Sequence, residues 1–80
     1  MDYDYRLMGK LIKKMRKERR LSQDILSGLA GIGRSHLAMI ETGSKNASVE
    51  TLWNISRAMD IPLSTLFATY ETIVDHQEQP

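Results

Sequence analysis

Leu7, Met8, Leu11, Ile12 and Met15 recur at helical spacing, with Lys10, Lys13, Lys14 and Lys17 among them. That pattern predicts an amphipathic first helix from about Leu7 to near Arg20. In Ser22-Gln23-Asp24, Ser22 suits an N-cap and Asp24 the positive end of a helix dipole. Ile25, Leu26 and Leu29 supply an apolar face to this second helix, and Gly31 ends it as a left-handed residue. Gly33 and Arg34 open a third helix that runs to about Glu41, with Leu37 and Ile40 facing inward. Thr42 to Asn46 is a polar loop. Ser48-Val49-Glu50 repeats the Ser-x-acid start and opens a fourth helix, whose inward face is Leu52, Ile55, Ser56 and Met59. Asp60 takes the left-handed position that Gly would usually hold, at some strain. Pro62 presets a fifth helix, carried to about Asp75 by Leu63, Leu66, Phe67, Tyr70, Ile73 and Val74. His76 to Pro80 reads as frayed.

No alternating strand pattern interrupts these segments, so the fold class is all-α: a compact five-helix domain with a helix-turn-helix at helices two and three. The expected division is an N-terminal extension at 1–6, the helix-turn-helix domain at 7–70, and a helix extension with acidic tail at 71–80. A chain of 80 residues fits one small domain, with little room for a deep substrate cavity.

With no cysteine, the chain can build neither a disulfide framework nor a thiolate metal site. His36 and His76 are too few and too far apart to argue for a metal. There is no Ser-His-Asp set, no pair of carboxylates on one face and no phosphate loop, so no enzyme, cofactor or small-molecule ligand is expected. Gly31-x-Gly33-Arg34 lacks the third glycine and the preceding strand of a dinucleotide fingerprint. No apolar run approaches a membrane span, and Asp2 and Asp4 sit where a signal peptide would be basic. A cytoplasmic location is expected.

The formal net charge of +1 hides an asymmetry. Residues 1–20 carry eight basic side chains against three acidic, residues 21–60 three against four, and residues 61–80 none against three. A basic front and an acidic tail suit an anionic partner for part of the surface; a solvated helix face is the plainer account of the same lysines.

On the third helix, Arg34, Ser35 and Ala38 share a face away from Leu37 and Ile40, bordered by His36 and Met39. That face is polar at its N-terminal end and free of acidic residues. A helix in the major groove meets base edges with its first turns, so this face is the part suited to reading DNA.

Residues 7–67 resemble the Xre family, the lambda-repressor-like domains of phage repressors, Cro proteins and bacterial regulators. The resemblance runs through Leu21-Ser22-Gln23-Asp24-Ile25-Leu26, Gly31, Leu37, Ile40-Glu41-x-Gly43, Ser48-x-x-x-Leu52 and Met59-x-Ile61-x-Leu63-x-x-Leu66. It implies sequence-specific binding of double-stranded DNA, usually by a homodimer on a near-palindromic operator. By position it makes Arg34, Ser35, Ala38 and Met39 the base contacts. Arg34 suits guanine O6 and N7, and Ala38 can offer only a methyl contact. Gln23 matches a glutamine that bonds a phosphate and braces the recognition helix. Ser22, His36, Thr42, Gly43, Lys45 and Asn46 fall where the DNA backbone is met, although Ser22 also caps and His36 also reads as an ordinary surface histidine. Met39 suits filling a core gap as well as touching a base. Arg16 and Glu41 resemble the family's partly buried ion pair between helices one and three.

Gly33 departs from the Ser or Thr that usually caps the third helix, Ser27 stands where Ala is common, and Ala47 where Pro is common. With Gly33 and Ala38 so small, specificity is expected to lean on Arg34 and on DNA shape.

The late apolar stripe needs cover. One reading is a two-fold dimer through Phe67, Tyr70, Ile73 and Val74, with Trp53 contributing; the other is that Tyr3 and Tyr5 cover the stripe within one chain. The function implied is a transcriptional regulator that represses by occupancy. The alternative is a protein-binding module such as the antitoxin of a toxin–antitoxin pair, gripping its partner through the stripe and the acidic tail.

Overall fold

The computed structural model describes residues 2–78. They form five helices: α1 (Tyr5–Glu18), α2 (Gln23–Ala30), α3 (Arg34–Thr42), α4 (Val49–Ala58) and α5 (Leu63–Glu78), with no strand among the described residues. The serine caps form as expected. Ser22 Oγ accepts from the Ile25 N–H and Ser48 Oγ from the Thr51 N–H, each at 3.1 Å. α1 begins at Tyr5 rather than Leu7, because the Asp4 carboxylate accepts from the Arg6 and Leu7 N–H groups at 3.0 and 3.2 Å. Tyr5 and Arg6 therefore belong to the helix and not to an extension.

α1 to α4 all end in the same turn. The N–H of Leu21, Ile32, Ser44 and Ile61 reaches back to the carbonyl of Arg16, Ser27, Met39 and Ser56, at 3.0 to 3.1 Å. The residue before each is left-handed: Arg20 (φ 57°), Gly31 (70°), Gly43 (84°) and Asp60 (60°). Asp60 holds the conformation expected of it, and Arg20 does the same without having been signalled. In three of the four turns the residue that follows is apolar and packs back on the helix end, the usual companion of this motif. α5 runs to Glu78, so the stretch read as frayed is helical at His76 to Glu78. Gln and Glu are good helix formers and nothing breaks the chain before Pro80. Gln79 and Pro80 lie outside the described residues.

α3 packs on α1 and α2, α2 on α4, and α5 on α4 and α1. Met8, Ile12, Leu26, Leu37, Ile40, Leu52, Ile55 and Leu66 fill the centre, none more than 2% exposed. α2 is rotated from the expected face: Leu26, Ser27 and Ala30 point inward, leaving Ile25 and Leu29 outside. Ser27 can be buried because its hydroxyl donates to the Asp24 carbonyl. A glycine sets the contact between α1 and α3. A β-carbon on Gly9 would overlap the carbonyl oxygen of Ile40, so the two backbones meet directly.

Tyr3 and Asp4 lie against α5. The Tyr3 ring stands 5.2 Å from that of Tyr70 and 6.2 Å from that of Phe67. The Asp4 N–H donates to the Tyr70 hydroxyl at 2.7 Å. Tyr70 is thereby covered within one chain, and Val74 is buried with it, which corrects their assignment to a dimer surface: neither offers exposed area to a partner. Phe67 and Ile73 stay half-buried and Trp53 exposed. Burial, and then the neighbouring Tyr70 and Asp4, push the Tyr3 phenol above its ordinary pKa.

Candidate nucleic-acid interface

α2, the turn through Gly31 and α3 make a helix-turn-helix. Gly33 is the N-cap of α3 and provides no side-chain acceptor, as its lack of a side chain dictates, so no side chain closes the start of the helix. On the first turn Arg34 and Ser35 are exposed, Met39 is 41% exposed one turn later, and Ala38 and His36 are half-buried between them. All five expected face residues thus reach the surface of one short helix, and Met39 does not fill a core gap.

Arg34 is not alone there. Its Nε lies 3.4 Å from Asp24 Oδ1, with both side chains about two-thirds exposed. Asp24 was expected only to favour the helix dipole. An exposed pair of this kind is worth about 0–1 kcal/mol, so it aims the guanidinium without locking it.

Behind this face lies a buried polar junction. Arg16 donates from Nε and Nη2 to the two carboxylate oxygens of Glu41, at 2.7 and 2.9 Å, and from Nη1 to the Leu21 carbonyl at 2.8 Å. The hydrogen bonds it donates to Glu41 raise the Arg16 pKa despite the opposing effect of burial, so the guanidinium stays charged. Gln23 Nε2 donates to Glu41 Oε1 at 3.1 Å. The carboxylate is an acceptor only, which turns the amide nitrogen inward; its second hydrogen is free for an anion outside. One carboxylate thus ties α1, the start of α2 and the end of α3 together.

The loop after α3 splits into two parts. Thr42, Lys45 and Asn46 are exposed. Gly43 is buried, and its N–H is spent on the Ile40 carbonyl. The Ser44 and Lys45 N–H groups both go to the Met39 carbonyl. Gly43 therefore makes the turn and does not present its backbone outward, contrary to the contact assigned to it: the left-handed cap consumes its donor. Ser22 is exposed while its hydroxyl accepts from Ile25, so capping occupies one lone pair and leaves its own hydrogen free.

Charge separates the two ends of the molecule. Tyr3, Tyr70 and Val74 line an open hollow of about 330 Å³ together with the carboxylates of Asp2, Glu71 and Asp75. Its sign repels a polyanion, and none of its residues belongs to α2 or α3. Among the described residues no cluster of His, Asp or Glu could hold a metal ion, and no helix is long and apolar enough to cross a membrane.

A family model described as helix-turn-helix matches residues 12–66. The chain belongs to that helix-turn-helix family. Within it, the chain is 37% identical over 71 residues to the immunity repressor protein of Bacillus phage phi105, covering 89% of this chain and 49% of that one. The chain thus spans about half the length of that repressor. The restriction-modification controller protein C.AhdI of Aeromonas hydrophila superposes with a TM-score of 0.76 at 30% identity, over 79% of this chain and 96% of that one. The Bacillus subtilis regulator SinR, crystallised in complex with DNA, superposes with a TM-score of 0.69 at 34% identity, over 75% and 97%. The lambda-repressor-like resemblance carried by Gln23, Glu41 and Gly43 is thereby established, as is the helix-turn-helix fold.

Proposed function

We propose that this helix-turn-helix protein is a transcriptional regulator that binds double-stranded DNA with the first turns of α3 in the major groove. It acts as a cytoplasmic repressor, by occupying a near-palindromic operator as a homodimer. The observation that carries this reading is the outward placement of Arg34 and Ser35 on a helix whose far end is locked by Gln23, Glu41 and Arg16. A rigid helix with a polar, non-acidic first turn is what base readout requires. The relatives named repressor and controller, and the SinR complex with DNA, support the same role.

In this reading Arg34 bonds a guanine, Ser35 bonds a base edge less selectively, and Ala38 and Met39 give apolar contacts. Gln23, Ser22, His36, Thr42, Lys45 and Asn46 position the protein on phosphates. Trp53, Phe67 and Ile73 remain available to a second copy. Regulation needs no catalytic group, because the bound protein blocks or admits polymerase.

Selection of sites from a random duplex pool by the purified chain tests this. The expected result is a palindrome whose half-sites are about one helical turn, roughly 10 bp, apart. No enrichment, with residual binding lost in modest salt, overturns sequence reading by the chain alone.

A second reading rests on a separate observation. Ile25, Leu29, Val49 and Trp53 are 54%, 63%, 68% and 47% exposed. So much apolar surface on α2 and α4 favours a protein partner, as an antitoxin would have. A duplex site enriched only when a co-purified partner is present would select it.

A further inference from the structure

Resting on the duplex-binding reading, we propose that Arg6 is a further contact to the DNA backbone, and that the hydrogen bond between the Asp4 N–H and the Tyr70 hydroxyl positions it. No sequence signal singled out Arg6, which precedes the apolar pattern of α1.

Gly43 has no side chain, and the stem of Arg6 fills the space one would take: a β-carbon on Gly43 would lie 3.0 Å from Arg6 Cγ and 3.3 Å from Arg6 Cβ. Arg6 is thus seated on the turn between Thr42 and Lys45, the segment that meets phosphate in the duplex-binding reading. The loop itself has few main-chain donors to offer, because the Gly43, Ser44 and Lys45 N–H groups close the end of α3. A guanidinium brought in from α1 supplies what the loop lacks.

The charge is available. Arg6 is exposed, and the ion pairs among the described residues are Arg16–Glu41 and Arg34–Asp24, so no carboxylate pairs with it. Its Cζ stands 6.0 Å from the Tyr5 ring centroid, the outer limit of a cation–π contact, which leaves every guanidinium donor open.

Its backbone is held from two sides. The Asp4 carboxylate accepts from the Arg6 N–H at 3.0 Å, and the Asp4 N–H is bonded to Tyr70 on α5. The Tyr3 ring packs on Tyr70 and Phe67 just upstream. Residues 3–6 are therefore a strap from α5 to the loop after α3, and Arg6 is its last link.

A purely structural Arg6 would only cover Gly43 with its stem. Arg6→Met keeps such a stem and removes the charge, while Arg6→Lys keeps the charge. Binding is read by fluorescence anisotropy on a labelled random-sequence duplex and on the duplex enriched from the random pool, over a salt series. The expected result for Arg6→Met is parental melting and an unchanged enriched sequence. Affinity falls about five- to tenfold at 0.1 M salt on both duplexes, and the slope of log K against log salt drops by about 1. Arg6→Lys restores most of the slope. Tyr70→Phe, measured well below its melting temperature, weakens binding in the parent and has no further effect in Arg6→Met.

Parental affinity and slope in Arg6→Met overturn the contact. An equal effect of Tyr70→Phe in both backgrounds overturns the positioning role. Arg34→Ala separates this proposal from the reading beneath it. If Arg34→Ala weakens binding to the enriched duplex and Arg6→Met does not, only the Arg6 assignment falls. If the parent chain binds neither duplex at low salt, both fall.

Discussion

Gln23 and Glu41 lie eighteen positions apart in the chain and meet through a 3.1 Å hydrogen bond over the buried Arg16 guanidinium. Glu41 is 4% exposed and Arg16 7%. The bond places the first residue of α2 against the end of α3, so the two helices of the motif share one polar anchor in addition to their apolar contact.

Removing Glu41 should therefore be felt in folding first. Glu41→Ala leaves the Arg16 charge buried without its carboxylate, a loss of about 3–5 kcal/mol. Urea denaturation is expected to show that loss, while the folded fraction selects the parental DNA sequence. Replacing both partners, Arg16→Met with Glu41→Leu, should recover most of the stability. Unchanged melting with a new base preference in Glu41→Ala would refute this account.

Gly9→Ala gives a result of unusual sign. In an exposed helix interior, alanine is better than glycine by about 1 kcal/mol. Here the added methyl meets the Ile40 carbonyl oxygen, and α1 must move off α3. The expected outcome is destabilisation by about 1–3 kcal/mol, read as a lower urea midpoint. A higher midpoint would mean that the two helices separate freely.

Asp60→Gly should do the opposite. Asp60 is left-handed at φ 60°, and its carboxylate accepts no hydrogen bond among the described residues. Relieving that conformation is expected to add about 0.5–1 kcal/mol. In a domain of this size that raises Tm by roughly 3–6 °C.

In the proposed function Arg34 reads a base and Asp24, 3.4 Å away, aims it. Arg34→Ala is expected to relax one guanine position in the enriched site by about 1–3 kcal/mol. As an exposed change it should move stability by no more than about 0.5 kcal/mol. Asp24→Asn removes the carboxylate 3.4 Å from Arg34 and a negative charge beside the duplex. Binding to random DNA should then tighten more than binding to the enriched site, narrowing the gap between them. A wider gap would show that Asp24 does not restrain Arg34.

Alkaline pH should loosen the N-terminal strap through Tyr3. Its folded-state pKa is raised, chiefly by burial. Below about pH 10 both folded and unfolded chains hold the phenol proton, and the contribution is intact. Above that the unfolded chain binds fewer protons than the folded one, so stability falls as pH rises through the folded pKa. Tyr3→Phe cannot lose that proton. Its urea midpoint should hold a constant offset from the parent up to about pH 9 and then gain on it. A constant offset throughout would place the Tyr3 phenol in water.

Much of this was legible because it depends on neighbours in the chain. Ser22 and Ser48 cap the N–H groups three residues on, and Gly31 and Asp60 turn left-handed where a polar residue precedes an apolar one. Arg34, Ser35, Ala38 and Met39 reach the surface as the spacing from Leu37 and Ile40 requires. Arg20 escaped notice because arginine, unlike glycine or aspartate, has no preference for the left-handed region. The face of α2 was misread because Ile25 and Leu26 are adjacent and equally apolar, and only the packing of α2 on α4 and α3 chooses between them.

The sequence by itself determined the helices, their caps and the face of α3 that meets DNA in the proposed function, since helical periodicity and capping act within a few residues. Only the tertiary structure decided that Gly9 lies against Ile40, that Asp24 reaches Arg34, that Arg6 covers Gly43, and that Tyr3 and Asp4 close over Tyr70. Each of those is a meeting of separate elements. No local pattern encodes such a meeting, because it depends on where the apolar core draws the helices together.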